Sequence, residues 1–311
     1  MSNLAVNLKD AAGQFPHNPA VRLGREVLSY AGLDELSSRV AGGLIAHGIQ
    51  PGDRVALALE RAPAFAVLYY GVLRVGAVAV VLGTQREREG VRRRPDTFDV
   101  RLCFADRGEA APPPEPDPAP RRLRVRVGAD FLDQVAFWPQ HTNLVHRADD
   151  DTAVITRAPQ AAGDPSGTAA TSSFSHRQLR AAAFAAATRS LDLTSSDTVL
   201  ACAPMSGTFG QTYALNAVVL AGAGLSQPRD PEDMPGLTRT IDQDRVTVLA
   251  AEPALFSALA RTVPPGPPGP PSPTLRLAVS SGPMPSAEIR TRVTRALGVP
   301  LLEAGPPTCD D

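Results

Sequence analysis

The residues best suited to chemistry lie between Gln160 and His176, in the stretch QAAGDPSGTAATSSFSH. It contains the glycines Gly163 and Gly167, and a helical pattern begins at His176. Its hydroxyl side chains are Ser166, Thr168, Thr171, Ser172, Ser173 and Ser175. Small residues, free backbone N–H groups and a helix start are what a loop that wraps a polyphosphate needs. The stretch has no lysine, and the only lysine of the chain is Lys9. The pattern therefore predicts the shape of a phosphate-binding loop without its usual compact positive charge.

The charge of the chain is nearly balanced. The 311 residues are 43% hydrophobic and 20% charged, with a formal net charge of -1. No global field therefore favours nucleic acid or an anionic membrane, and neither is predicted as a partner. The length allows two domains or one large layered domain with a sizeable core.

Cysteine and histidine usage argues against a metal site. Cys103, Cys202 and Cys309 are widely spaced without a CxxC pair, which is unlike a disulfide scaffold or a thiolate metal site. The histidines show no metal-ligand spacing, and His176 at a helix start is interpreted as a packing or capping residue rather than a general base. We therefore predict no metal ligand and no catalytic residue from spacing alone.

The amino-terminal residues do not predict a signal peptide, because no basic segment precedes an apolar one. The most apolar window, 64–82, is interrupted by Arg74 and two glycines, which favours a core helix and a buried strand over a membrane span. Together with the cysteine usage, this predicts a cytoplasmic protein without a membrane span.

Helical and extended patterns alternate along most of the chain. A hairpin and a helix are predicted first, and RVALALE, a helix from Ala64 to Val75 and VAVVL then form a βαβ unit with strands too apolar to face water. The alternation returns from Asp151 onward. Two proline-rich stretches, 111–120 and 264–273, are predicted to be surface loops. Repeated units of this kind predict largely parallel sheets covered by helices.

The order of these segments resembles a known family. The first eighty residues, followed by FGQTYALNAVVLAGAGL, DRVTVLAAEPALFSALA and LRLAVSSGPMPSAEIRTRV, are similar to the amino-terminal part of the acyl-adenylate-forming (AMP-binding) enzymes, particularly fatty acyl-CoA ligases. The resemblance covers nearly the whole chain outside about 86–147. It implies an α/β fold of two abutting lobes with mainly parallel sheets, which we place at 1–148 and 149–311. Since the chain ends at Asp311, we expect it to lack the family's β-barrel and carboxy-terminal domain.

The resemblance also implies a nucleotide site. Family members bind ATP and a carboxylic acid and form an acyl adenylate, so AMP or ATP is the expected ligand, although no cofactor is certain. In the phosphate loop Ser166 stands where the family has lysine. In the last motif Gly305 replaces the aromatic that stacks on adenine, and Cys309 replaces the glutamate that binds the metal. The positions that match the nucleotide motifs are Gly163, Ser166, Gly167, Ser281, Gly282, Pro283 and Thr308.

An acyl pocket is implied on the substrate side. Many relatives have an aromatic and a histidine after a proline and an apolar residue, whereas this chain has Ser206 and Gly207 there. The helix that follows keeps its pattern. We therefore assign the acyl pocket to Met205, Gly207 and Phe209.

Three functions remain open on these residues. The first is a degenerate, non-adenylating protein that binds an acyl or adenine-containing small molecule, or a protein partner, as a binding or scaffold protein. The second is an enzyme, either an acyl-CoA ligase completed by a partner chain or a repurposed activity on the same pocket. The third is the product of a shortened gene, without function. The lost contacts favour the first, because a charge-assisted contact contributes about 1.5–3 kcal/mol and a transition-state donor about 10²- to 10³-fold in rate.

Overall fold

The computed structural model describes residues 3–59, 62–83, 99–106, 123–157, 171–262 and 274–304. The chain forms two compact units. The first unit comprises Met1–Asp10 and Gly32–Leu179, and the second unit comprises Ala11–Ala31 and Arg180–Asp311. They differ from the two consecutive parts expected from the sequence, with a boundary between 148 and 149. The reason is that the early hairpin Pro19–Ser29 pairs with Gly224–Gln227, about two hundred residues later. Both proline-rich stretches lie outside the described residues.

The regular elements alternate as the hydrophobic pattern predicts. The α-helices are α1 (Val6–Gln14), α2 (Tyr30–Ala46), α3 (Ala62–Arg74), α4 (Phe131–Val135), α5 (His176–Phe184), α6 (Ala217–Ala221), α7 (Met234–Gln243), α8 (Pro253–Thr262) and α9 (Ala287–Leu297). Two π-helical segments, Ala185–Ser190 and Gly210–Asn216, directly follow or precede α-helical residues. No helix within the described ranges is long and apolar enough to cross a membrane.

The first unit is built on a six-stranded sheet. Its strands are β3 (Arg54–Ala58), β4 (Val78–Val81), β5 (Val100–Asp106), β6 (Leu123–Val127), β7 (Thr152–Arg157) and β8 (Thr171–Ser175). The order is β6-β5-β3-β4-β7-β8, and every pair is parallel except β7 with β8. The predicted βαβ unit is thereby confirmed as β3, α3 and β4. β8 was not predicted, because TSSFS carries no hydrophobic alternation, and it forms by antiparallel pairing with β7.

The core of the first unit includes one charged side chain. Arg74, at the end of α3, is 1% exposed and its guanidinium pairs with Asp34 of α2. Its Nε also donates to Ser37 Oγ at 2.9 Å. A buried cation is tolerated only where its donors are met in this way. The pair therefore ties α2 to α3.

The second unit is built on a seven-stranded sheet. Its strands are β1 (Pro19–Leu23), β2 (Glu26–Ser29), β9 (Thr198–Ala201), β10 (Gly224–Gln227), β11 (Val248–Ala251), β12 (Leu277–Ser280) and β13 (Leu301–Glu303). The order is β13-β12-β11-β9-β10-β1-β2, and every pair is parallel except β1 with β2. Buried apolar residues of α7, α8 and α9 pack on this sheet: Leu237, Ile241, Phe256, Ala260, Val293 and Leu297. Both sheets are therefore mainly parallel and open in the described part of the chain.

Two polar contacts hold the amino-terminal hairpin and the strand starts of the second unit. The buried Tyr30 hydroxyl donates to the carbonyl of Ala223 at 2.7 Å, at the start of β10. Asp197, just before β9, accepts hydrogen bonds from Arg276 Nε at 2.9 Å and Thr247 Oγ1 at 2.6 Å. Burial alone would raise the pKa of Asp197, but the hydrogen bonds from Arg276, Thr247 and Thr194 and the charge of Arg276 hold that pKa below its ordinary value.

Candidate functional site

The carboxyl ends of three neighbouring parallel strands of the second unit, β9, β11 and β12, meet at one edge. Cys202 N donates to the carbonyl of Ala250 at 2.8 Å, and Ser281 N donates to that of Ala251 at 2.9 Å. These bonds continue the strand pairing with β11 for one residue beyond the ends of β9 and β12. The loops after both strands therefore leave the sheet at the same level. The crevice outside the carboxyl ends is where open parallel sheets bind ligands. This edge is therefore the candidate functional site of the second unit.

The loop after β12 contains three of the predicted nucleotide positions, Ser281, Gly282 and Pro283. The buried Ser280 Oγ donates to the carbonyl of Gly282 at 2.7 Å, which fixes the turn. A side chain at Gly282 would have Pro253 Cγ, at the start of α8, as its only described neighbour, at 4.0 Å. The loop thus leaves a shallow, half-buried surface at Gly282. Its role towards adenine remains a prediction.

The loop after β9 contains two of the predicted acyl-pocket residues, Met205 and Gly207, and the helix that begins at Thr208 contains the third, Phe209. Met205 is fully buried, whereas Gly207 and Phe209 are half-buried. Among the described residues, a side chain at Gly207 would have only the carbonyl oxygen of Pro204 within 4 Å, at 3.6 Å. The Phe209 ring stacks on Tyr213, with centroids 4.9 Å apart. Met205 is thus part of the core, while Gly207 is only half-buried.

The helix after this loop approaches it closely. A Cβ at Gly210 would lie 2.2 Å from the carbonyl oxygen of Pro204, so glycine is required there. Gln211 N donates to the carbonyl of Gly207 at 3.0 Å, and Gln211 Nε2 donates to that of Ser206 at 3.3 Å. The helix start and the loop therefore form one hydrogen-bonded piece.

Sequence reasoning missed three buried polar residues on this helix. Gln211, Thr212 and Asn216 lie in the second π-helical segment and are at most 3% exposed. Thr212 Oγ1 has no hydrogen-bond partner in the described structure. The signal was available, because QTYALN places polar residues inside an otherwise apolar helix.

Cys202 also lies at this edge, directly after β9. Burial raises the pKa of its thiol to about 12. The thiol is therefore protonated at neutral pH and is not an activated nucleophile, since the thiolate is the reactive form.

Other predicted residues are placed as follows. Gly163, Ser166, Gly167 and Thr308 lie outside the described residues. His176 belongs to the first unit, is fully buried, and its Nδ1 accepts a hydrogen bond from Leu4 N at 3.0 Å. No group of three His, Cys, Asp or Glu side chains suited to a metal ion occurs in the described ranges.

Known proteins similar to this chain share its fold. Long-chain-fatty-acid–CoA ligase FadD13 of Mycobacterium tuberculosis is 27% identical over 315 residues, which cover 96% of this chain and 59% of that protein. Salicyl-AMP ligase / salicyl-S-ArCP synthetase of the same organism is 44% identical over 79 residues, or 24% of this chain and 14% of that protein. The chain thus spans about three fifths of the length of the FadD13 ligase.

Solved structures give the same result. The inhibitor-bound N-terminal domain of FACL13 from Mycobacterium tuberculosis superposes with a TM-score of 0.81 at 23% identity, covering 98% of this chain and 76% of that chain. The Klebsiella oxytoca NpsA N-terminal subdomain in complex with 3-hydroxyanthranilyl-AMSN superposes with a TM-score of 0.76 at 19% identity, covering 96% and 72%. At these identities the likeness establishes the fold.

The resemblance drawn from the sequence is thereby confirmed, and a family model extends it along the chain. The model described as AMP-binding enzyme matches residues 8–308. The two mainly parallel sheets agree with that match. The chain belongs to the AMP-binding enzyme family.

Proposed function

We propose that this chain is a non-adenylating member of its family that binds a small acyl or adenine-containing ligand and works as a binding or scaffold protein. The observation that carries the proposal is a formed ligand edge in a chain whose only lysine is Lys9, exposed on α1. Ser166 occupies the position of the phosphate-loop lysine. A hydroxyl donates a hydrogen bond, but it cannot neutralise a triphosphate.

The residues present do not fit Mg²⁺ and triphosphate. Magnesium prefers carboxylate oxygens and substrate phosphates. Cys309 stands where the family has a metal-binding glutamate, and a thiol is a soft ligand unsuited to magnesium. At the ligand edge the Glu303 carboxylate already pairs with Arg290 Nη1 at 3.3 Å. We therefore derive no adenylation step for this chain.

The loops at the candidate site and the names of similar proteins support the binding role. The Met205–Gly207 loop and the Ser281–Pro283 loop both lie at one edge of the sheet, with β11 between β9 and β12. Relatives and structural neighbours are named for acyl-CoA and acyl-AMP chemistry, including a complex with 3-hydroxybenzoyl-AMSN. An acyl or adenine group is therefore the expected ligand. If the chain works as a scaffold, it would bind a partner protein.

The second candidate is a ligase that a partner chain completes, or a repurposed activity on the same pocket. It is favoured by the family match over nearly the whole described chain. Acid-dependent exchange of labelled pyrophosphate into ATP separates the two. We expect no exchange across a panel of fatty and aryl acids, with a full-length ligase as positive control. Clear exchange by the purified chain would overturn the non-adenylating reading.

Calorimetric titration tests the ligand directly. We expect AMP to bind at least as tightly as ATP, and Mg²⁺ to leave both affinities unchanged, because the phosphate and metal positions carry no matching charge. Magnesium-dependent, submicromolar ATP binding would contradict the proposal. A chain that binds neither nucleotide and none of the acids would contradict its ligand-binding part.

A single substitution tests why triphosphate is not favoured. Ser166→Lys should strengthen ATP binding by about tenfold or more, since a charge-assisted hydrogen bond contributes about 1.5–3 kcal/mol. Ser196→Lys, at an exposed residue before β9, is the matched control and should leave ATP affinity unchanged. An equal gain in both variants would indicate non-specific charge attraction, and no gain at Ser166 would remove the stated reason.

A further inference from the structure

A cavity of about 180 Å³ lies at the amino ends of three strands of the second unit. Its lining includes Pro19, Thr198 and Gly224, the first residues of β1, β9 and β10. These strands are neighbours and run parallel. The candidate functional site lies at the carboxyl ends of strands of the same sheet, so the cavity is at the opposite edge and is separate from that site. A volume of this size can hold a small molecule rather than a single water.

Arg22 of β1 is the basic residue among those that line the cavity. Its side chain is 30% exposed, and Nη1 lies 3.5 Å from Asp244 Oδ1. This is the one contact of the guanidinium with another described residue, although a guanidinium has five N–H donors. The Asp244 carboxylate also accepts a hydrogen bond from Ser226 Oγ at 2.6 Å. Arg22 therefore keeps donors for a further partner, and its planar group suits a carboxylate or a phosphate.

The loop before β9 adds neutral donors to the cavity lining. Ser195 is half-buried, and neither its hydroxyl nor its backbone N–H bonds to another residue in the described ranges. Its carbonyl accepts a hydrogen bond from Asn18 Nδ2 at 3.2 Å. Asn18, just before β1, also lines the cavity. This bond ties the start of the hairpin to the loop, so the two walls of the cavity are held together.

The one buried carboxylate in the lining does not oppose a negative ligand. Asp197 is 7% exposed, and its Oδ1 accepts from Arg276 Nε at 2.9 Å and from Thr247 Oγ1 at 2.6 Å. Its Oδ2 accepts from Thr194 N at 2.8 Å. The carboxylate is thus neutralised by Arg276 and its oxygens are occupied, so it is not free to bind a cation. The groups that remain for a ligand are mainly donors, which favours an anion.

We propose that this cavity is a second binding site, which takes a small oxyanion such as a short carboxylate or inorganic phosphate. Arg22 supplies the positive charge, and Ser195 donates hydrogen bonds. The site goes beyond the proposed function and does not depend on it, because the two share no residue. A bound anion bridges the early hairpin and the loop before β9, so its binding stabilises the second unit by linkage.

The test compares anions with a neutral molecule of the same shape. Malonate and inorganic phosphate are titrated separately at constant ionic strength, with malonamide as the neutral partner of malonate, and the amide NMR signals of Ser195 and Gly224 are followed. At least one of the two anions should bind at least about tenfold more tightly than malonamide, the effect of one charge-assisted contact. Binding of malonate alone or of phosphate alone identifies which source of the oxyanion the cavity accepts.

Matched variants assign the binding to Arg22. Arg22→Gln should weaken anion binding at least about tenfold, because it removes the charge-assisted contact. Arg25→Gln removes the same charge from an exposed residue in the turn of the same hairpin, outside the cavity lining, and should leave the affinity unchanged. Ser195→Ala should weaken binding about 3- to 10-fold, and it keeps the test decisive if melting shows that Arg22→Gln does not fold.

The outcomes also separate this inference from the proposed function. It is overturned if malonate and phosphate bind no more tightly than malonamide, if a folded Arg22→Gln or Ser195→Ala chain keeps the full affinity, or if the signals that move are those of Ser281 and Gly282. Arg22→Gln should leave AMP affinity unchanged, since AMP is expected at the opposite edge. If anions bind in the cavity while no acid and no nucleotide binds at the carboxyl ends, the proposed function fails and this inference stands.

Discussion

Removal of Asp34 should destabilise the first unit more than removal of its partner Arg74. Arg74 is 1% exposed, whereas the Asp34 side chain is 33% exposed. Burial lowers the pKa of the Arg74 guanidinium, and the charge of Asp34 and its hydrogen bond act in the opposite direction. In Asp34→Ala the guanidinium therefore stays in the core with Ser37 Oγ as its remaining described partner. In Arg74→Met the exposed carboxylate that remains can be hydrated.

The magnitudes follow from this asymmetry. Leaving one charge of a buried pair uncompensated costs about 3–5 kcal/mol, whereas replacing the pair with apolar side chains of similar volume is often nearly neutral. We therefore expect Asp34→Ala to cost about 3–5 kcal/mol and Arg74→Met about 0–2 kcal/mol. The double variant should resemble Arg74→Met, because the buried charge is absent from both. A loss of 3–5 kcal/mol is a large share of the roughly 5–15 kcal/mol that stabilises an ordinary domain.

Urea unfolding followed by circular dichroism measures these differences, and native-state hydrogen exchange at the amides of α3 assigns them to the first unit. The hydrogen-exchange measurement is needed because a chain with two compact units need not unfold in one step. The reasoning is refuted if Arg74→Met costs more than Asp34→Ala, or if the double variant is less stable than both single variants.

Three further predictions concern the second unit. Tyr30→Phe should lower the free energy of unfolding by about 1–3 kcal/mol, because the buried carbonyl of Ala223 loses its donor; urea unfolding checks this, and an unchanged midpoint would contradict it. Asp197→Asn should lower the free energy of unfolding at neutral pH, and its difference in stability from the unmodified chain should shrink as pH falls below about 4. The reason is that a carboxylate whose pKa is lowered in the folded chain contributes stability above its unfolded pKa and loses that contribution as pH falls through its folded pKa. A difference in stability that grows towards acid would show that the charge of Arg276 does not stabilise the carboxylate. The partly exposed Cys202 thiol, whose pKa is raised to about 12 by burial, should be alkylated at pH 8 more slowly in the native chain than in urea, because little thiolate is present. Mass spectrometry of the labelled peptide measures both rates, and equal rates would contradict a raised pKa.

Much of the fold was predictable because its signals are local. The RVALALE and VAVVL runs, predicted as strands, contain β3 and β4 of a parallel βαβ unit. The strand Thr171–Ser175 was not predicted, since its small hydroxylated residues favour no regular structure by themselves. It forms because the partner strand β7 meets the backbone donors and acceptors that it would otherwise leave unpaired.

The candidate site was predictable only in outline. Motif order placed Met205, Gly207, Phe209 and the Ser281–Pro283 loop on the ligand side, and their assigned roles stay predictions. Periodicity predicted a helix near Phe209 to Leu220 but not its π geometry, because apolar residues recur at similar spacing in both helix types. Periodicity also could not show that the Thr212 hydroxyl is buried without a described partner.

The sequence by itself determined the α/β class, the family resemblance, and the absence of lysine from the stretch between Gln160 and His176. These follow from composition and from patterns within about ten to twenty residues, which act before distant segments meet. Only the tertiary structure decided that β1 pairs with β10, that Arg74 is buried, and that Thr212 is left without a partner. Each of these depends on which distant segments pack together and on what they exclude from water, and a side chain's own neighbours in the chain do not contain that information.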